Sequence, residues 1–305
     1  MRYNPKARLD RSQVQVRSGG GRSGGIGLPG AGGGSGLKVG GGIGGLVILL
    51  LVFLLQSQLG GGSSSAGPAG GEQETSLDAC RTGADANQDR NCALVADVNA
   101  IQGYWETALP EQSGTPYREA TTTIFSGQTN TGCGGATSDV GPFYCSVDER
   151  VYLDTTFFED MLQGQLGARG GLFAEAYVLA HEYGHHVQNL LGTMGRVRTQ
   201  QGPESDAVRL ELQADCYAGM WTKYATEVPD DSGEPYILDL TQQDVAAALD
   251  AARAVGDDRI QRRSSGRVDP DRWTHGSSEQ RMAWFTTGMR TGSLRACDTF
   301  SADQL

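Results

Sequence analysis

The sequence predicts an α+β domain: a small antiparallel sheet packed on two helices, preceded by one transmembrane helix. Three observations lead there. Residues 180–191, AHEYGHHVQNLL, combine helical apolar spacing with two histidines four positions apart, and residues 204–226 read as a second helix with two carboxylates four apart. Residues 119–125, EATTTIF, are β-branched, and residues 141–154, GPFYCSVDERVYLD, read as a hairpin turning at 147–150.

The first helix carries the chemistry. Residues four apart share a helical face, so His181 and His185 can offer two imidazole nitrogens to one tetrahedral metal ion. Glu182 is rotated by about 100° from His181, which sets its carboxylate beside the metal as a base for water rather than as a ligand. Leu172, Ala176, Leu179 and Ala180 can face a core, and Gly192 supplies a stop. Gly184 costs up to roughly 1 kcal/mol against alanine in mid-helix, and close approach of another element would explain it. The chain holds four histidines, so two at this spacing around a glutamate are not an accident of composition.

A catalytic zinc site needs a third protein ligand and an open position. Gln188 and Leu191 stand where the metzincin pattern needs Gly and His, which excludes that class. The second helix offers Glu211 and Asp215 on one face among Leu210, Leu212, Ala214, Cys216, Ala218 and Trp221, where carboxylates need partners. Glu211 is the preferred ligand and Asp215 the alternative; in the preferred arrangement Asp215 hydrogen-bonds and orients His181.

HEYGHH followed by ELQADCYAGMW, with GPFYCSVDERVYLD upstream and HGSSEQRMAWF downstream, resembles a bacterial family of membrane-anchored neutral zinc metallopeptidases over residues 79–300. The resemblance implies a zincin-like domain whose HExxH and ExxxD motifs are similar to those of gluzincin proteases. It further implies one Zn²⁺ per chain at His181, His185 and Glu211, and Glu182 as catalytic base. The expected activity is cleavage of peptide or protein substrates, as an endopeptidase rather than an exopeptidase.

The remaining chain is read around that site. Residues 1–36 are rich in Gly and Ser, with six basic residues against Asp10, and are expected to be a disordered cytosolic tail. Residues 37–59 include the apolar run LVILLLVFLL and predict a single span, N-terminus cytoplasmic and catalytic domain extracytoplasmic, with a cleaved signal peptide as the competing reading. Residues 60–78 form a flexible linker to a domain at 79–305. Beyond the span stand 18 basic against 35 acidic residues, a balance that argues against nucleic acid and against docking on anionic lipid.

All six cysteines follow the span, which suggests disulfides in an oxidising space. About 15 connectivities are open. The preferred set is Cys80 with Cys92, Cys133 with Cys145, and Cys216 with Cys297.

A helix is expected over residues 91–109, stopped by Pro110, behind the metal helix. Residues 129–138 read as a loop, and 155–166 as a helix whose aromatic pair belongs to the core. Phe143, Tyr144 and Cys145 are candidates for holding extended substrate by main-chain pairing, the alternative being a purely structural strand. Thr241 caps a helix over 241–255, and the charged segment 257–271 reads as a solvated loop. His275 precedes a helix capped at Ser277, with Gln280 completing a capping box; it is either a donor to the tetrahedral oxyanion or a structural residue beside Trp273 and Trp284. Arg281 is a weaker substrate-binding candidate, and His186 should point away from the metal. Two other functions stay open: a membrane-tethered binding or assembly module with a structural metal, and an amidase acting on cell-wall peptides.

Overall fold

The computed structural model describes residues 1–17 and 77–305. The rest of the expected tail, the expected span and nearly all of the expected linker lie outside the described residues. Among the described residues no helix is long and apolar enough to cross a membrane.

The chain opens with β1 (Arg2–Tyr3) and β2 (Val14–Arg17). It resumes with α1 (Gly83–Ala86) and the long α2 (Arg90–Ser113), followed by β3 (Thr121–Phe125). A hairpin of β4 (Gln128–Thr131) and β5 (Gly134–Thr137) leads to β6 (Phe143–Cys145) and β7 (Arg150–Asp154). A π-helix (Phe157–Gln165) precedes α3 (Leu172–Leu190), which carries HExxH, and α4 (Asp206–Tyr224), which carries the two carboxylates. Then come β8 (Ile237–Asp239), α5 (Gln242–Ala254), α6 (Asp257–Ser265) and α7 (Ser278–Thr291).

The main sheet has the order β2-β3-β7-β6 and is mixed, not antiparallel as expected. β6 and β7 form the predicted hairpin, but β3 runs parallel to both β7 and β2. The β4–β5 hairpin and β6 intervene between β3 and β7, so the chain returns beside β3 in the same direction.

Residues 1–17 correct the expectation of a disordered tail. Tyr3 is fully buried and its hydroxyl donates to Asp97 on α2 at 2.9 Å. The Asp10 N–H donates to Asn99 Oδ1 at 2.9 Å, while Asn99 Nδ2 donates back to the Asp10 carbonyl at 2.9 Å. β1 pairs with β8, and β2 forms one edge of the main sheet. Composition hides this segment, because its residues are mostly polar and their partners stand far off in the chain.

Several element boundaries also change. α2 runs through Pro110 and ends at Gly114, whose φ of 73° is left-handed and whose N–H donates to the Pro110 carbonyl. Pro110 sits in the last turn, so the ladder bond it removes, to the Glu106 carbonyl, is lost close to the helix end. The expected loop at 129–138 is the β4–β5 hairpin. The expected helix after β7 is wound as a π-helix, with the Leu166 N–H bonded to the Met161 carbonyl at 2.8 Å. The expected loop at 257–271 begins with α6 and buries Asp257.

All three disulfides follow the preferred pairing, and Cys216–Cys297 ties α4 to the chain end. The helices meet closely around the site. A Cβ on Gly184 would lie 3.0 Å from the Ala214 carbonyl oxygen, so the close approach expected beside the histidines comes from α4. Gly219 and Gly288 let α4 and α7 pack backbone to backbone, since a Cβ on either would collide with a carbonyl of the other helix.

Candidate metal centre

The helix α3 starts after Gly171 and is buried on nearly every face, against α4, α5, α2 and the sheet. His181 and His185 lie one turn apart, with 4.8 Å between their ring centroids. Glu211, from the first half of α4, faces both: Oε2 lies 3.3 Å from His181 Nε2, and Oε1 lies 3.5 Å from His185 Nε2.

These separations fit a metal. Zinc bonds to His and Glu of about 2.0–2.1 Å in a tetrahedron place neighbouring ligand atoms roughly 3.3–3.4 Å apart. The three ligand atoms lie within 4.8 Å of one another, and all three side chains are buried. His181, His185 and Glu211 could therefore hold a metal ion. Cys80, Asp89 and Cys92 also cluster, but both of those cysteines are spent in a disulfide.

Each imidazole is turned by a hydrogen bond at its far nitrogen. His181 Nδ1 is 2.9 Å from Asp215 Oδ1, and His185 Nδ1 is 2.8 Å from Gln188 Oε1. Both acceptors favour a ring proton on Nδ1, which makes Nε2 of each ring, facing Glu211 and the space between, the nitrogen available to a metal. Gln188 is itself fixed, donating to the Leu210 carbonyl at 2.7 Å and to Gln213 Oε1 at 3.1 Å. Sequence reasoning missed this role; the signal was its place three residues after His185, within reach on the same side of the helix.

Asp215 lies where the sequence placed it, but with more partners. Its carboxylate accepts from the Tyr177 hydroxyl at 2.6 Å, from Arg281 Nε at 2.8 Å and from Arg281 Nη2 at 3.0 Å. The Arg281 guanidinium thus pairs with Asp215 through Nε and Nη2, and Arg281, the weaker substrate-binding candidate, also lines the cleft. Burial works against the Asp215 charge, yet Arg281 and His181 outweigh it and hold the carboxyl below its ordinary range. Neither Tyr177 nor Arg281 is assigned to this network by the sequence, because pairing across helices leaves no local pattern.

Glu182 is buried and lines the same cleft as the three ligand residues. Burial raises its pKa above the usual carboxylate value, against the pull of His181 and His185. Glu211 moves the other way: burial opposes its charge, but His185, His275 and His181 hold it well below the usual range. Two glutamates in one cleft are therefore pushed apart, one kept anionic and one made more basic. In the metal-free protein burial disfavours a charged His181, but Asp215 and Glu211 outweigh burial and raise its pKa to about 10.

His275 reaches the cleft from the turn before α7. Its Nδ1 is 2.8 Å from Thr274 Oγ1 and 3.4 Å from Asp257 Oδ1, and its main-chain N–H donates to Asp257 Oδ2 at 2.7 Å. Burial would lower its pKa, but Glu211 and Asp257 raise it. His186 points away from the metal as expected, with Nε2 donating to the Arg118 carbonyl at 2.6 Å and Nδ1 accepting from the Tyr144 hydroxyl at 2.9 Å.

The substrate-strand candidates are less direct. Phe143 stacks on Tyr152, Tyr144 binds His186 and Asn189, and Cys145 is bridged to Cys133, so none of these side chains lines the cleft. The residues just before them, Val140, Gly141 and Pro142, do line it, and β6 is an edge of the described sheet.

A family described as "Putative neutral zinc metallopeptidase" matches residues 10–300. The chain belongs to that family. The match begins within the N-terminal segment that packs on α2 and β3, so the family's signature includes part of that segment. An uncharacterized protein of Mycobacterium tuberculosis is 53% identical over 231 residues, covering 75% of this chain and 77% of the relative. The uncharacterized protein YpfJ of Escherichia coli is 38% identical over 275 residues, covering 88% of this chain and 90% of the relative. No solved structure matches the chain.

Proposed function

We propose that this member of the neutral zinc metallopeptidase family hydrolyses peptide bonds inside protein or peptide substrates, with one Zn²⁺ held by His181, His185 and Glu211. The observation that carries the reading is a three-residue ligand set at zinc-like separations with buried Glu182 in the same cleft. Zinc bound there supplies Lewis-acid polarisation of the scissile carbonyl and makes water a better acid. Glu182 accepts the water proton and hands it to the departing amine. Asp215 and Gln188 hold the two imidazoles in the orientation and tautomer that leave Nε2 free. His275, with Nδ1 occupied and its ring in the cleft, donates to the oxyanion. The edge at β6, entered through residues 140–142, aligns extended substrate by main-chain pairing.

The test is purified Glu182→Gln protein beside wild type. Zinc content should be equal, and cleavage of an unfolded protein substrate should fall by at least about 10²-fold to 10⁴-fold, the usual worth of a positioned acid–base group. Undiminished cleavage by the variant would remove Glu182 from the chemistry.

The setting is proposed on separate grounds. Three disulfides favour an oxidising compartment, and residues 37–59 favour attachment to a membrane. The pairing of β2 with β3, however, supports placing the N-terminus on the same side of the membrane as the domain. Lys6 is exposed and all six native cysteines are bridged, so a Lys6→Cys variant carries one accessible thiol. That thiol should react with a membrane-impermeant reagent from the same side as the domain. Labelling from the opposite side alone would restore the single-pass arrangement.

A further inference from the structure

Away from its histidines the cleft changes character. With the metal centre included the cleft encloses about 110 Å³, and its apolar walls include Phe157, Met161 and Leu166 from the π-helix and its end, Val178 from α3, and Val255 and Ile260 from the α5–α6 corner. A single water needs roughly 10–15 Å³, so the cleft has room for a side chain beside the metal centre. The titratable groups that line it, His181, Glu182, His185, Glu211, His275 and Arg281, all belong to the metal centre and its hydrogen-bonded surround.

The π-helix makes this wall possible. In an α-helix at about 100° per residue, Phe157 and Met161 would share a face while Leu166 would point roughly opposite. Bonding to the fifth residue, as between Leu166 N–H and the Met161 carbonyl, lowers the turn to about 82° per residue. All three side chains then fall within about 50° of one another. Phe157 is 9% exposed and Leu166 is 2% exposed, so the wall is set firmly, while half-buried Met161 stands at its rim. The aromatic pair lies in the core as expected, and Phe157, besides packing there on Phe158, also lines the recess.

We propose that this recess receives a large aliphatic or aromatic side chain from the substrate residue beside the bond to be cut, and that the π-helix is its specificity-determining wall. The inference rests on the peptidase reading for its context, though not for all of its tests. A charged side chain in the recess would lose its hydration with no partner on the apolar walls, whereas an apolar one gains burial.

Two measurements on the full-length zinc protein test it. Wild type should cleave a peptide set varied at single positions with kcat/KM at least about tenfold higher for Leu, Phe or Met than for Asp or Lys at one position adjoining the cut. Met161→Lys, a rim substitution, should erase that preference or turn it toward acidic residues at that position. Independently of turnover, zinc-loaded Glu182→Gln protein should bind the dipeptide Gly-Leu at least about tenfold more tightly than Gly-Asp by calorimetry, with Met161→Lys added to that background removing the difference. Apolar-selective binding without any cleavage by wild type would sink the peptidase reading and leave the recess standing. Equal binding of the two dipeptides, or cleavage with no apolar preference next to the cut, would overturn the recess.

Discussion

The metal-bearing pair α3 and α4 and the N-terminal segment 1–17 are both held by buried polar contacts, yet only the first pair announces itself in the sequence. On α3, His181 and His185 stand four apart, and on α4 Glu211 and Asp215 do the same, so each half of the site is written within one helical turn. In residues 1–17, Tyr3 needs Asp97 and Asp10 needs Asn99, and both partners lie far along the chain. Local spacing reveals chemistry that a single helix face presents. It is blind to a strand whose neighbours arrive from elsewhere.

Breaking each region should show that both matter to the fold but only one to the metal. The largest effect belongs to Asp215→Ala. It would leave buried Arg281 and the Tyr177 hydroxyl without their partner and His181 without its orienting acceptor. Unfolding by denaturant should show a loss of about 3–5 kcal/mol, the cost of stranding one member of a buried ion pair. Zinc affinity should fall as well, by about 10–100-fold. A variant as stable as wild type would contradict the account of the network.

Tyr3→Ala should come next, at about 3–5 kcal/mol for a fully buried aromatic, with zinc affinity of the remaining folded protein unchanged. An unaltered midpoint would mean that residues 1–17 are not part of the cooperative fold. Gln188→Ala should leave stability within roughly 1–3 kcal/mol of wild type but weaken zinc about tenfold, since His185 loses the acceptor that fixes its ring.

A slope with pH needs no substitution at all. In the metal-free protein His181 holds its proton up to about pH 10, because Asp215 and Glu211 favour the imidazolium more than burial disfavours it. Zinc must displace that proton, so apparent affinity measured against a competing chelator should rise about tenfold per pH unit from neutrality toward that value. Activity should fall on the acid side as Glu182, raised above the ordinary carboxylate range by burial, takes up a proton. A zinc affinity independent of pH between roughly 7 and 9 would contradict the His181 assignment.

The same contrast explains what else the sequence reveals and withholds. The β6–β7 hairpin, the Thr241 and Ser277 capping boxes and the close helix approach at Gly184 all rest on short-range rules, and each is legible. So are the two short disulfide loops, each of sequence separation 12. The mixed sheet is not, because its parallel pairs join strands that no turn connects. The π-helix escapes for another reason: its residues also satisfy an α-helical pattern, and the wider winding shows only when Leu166 joins Phe157 at the recess. Asp257 reads as part of a solvated run, yet its carboxylate gathers the N–H groups of Thr274, His275 and Gly276 and so fixes the turn that aims His275.

The central claim is that a zinc ion joins His181, His185 and Glu211, and X-ray absorption at the zinc edge on purified full-length protein tests it most directly. The account predicts about one zinc per chain, with two imidazole nitrogens and carboxylate oxygen at about 2.0–2.2 Å and no sulfur, and loss of that spectrum in Glu211→Ala. Sulfur in the coordination sphere, or an unchanged spectrum in Glu211→Ala, would contradict it.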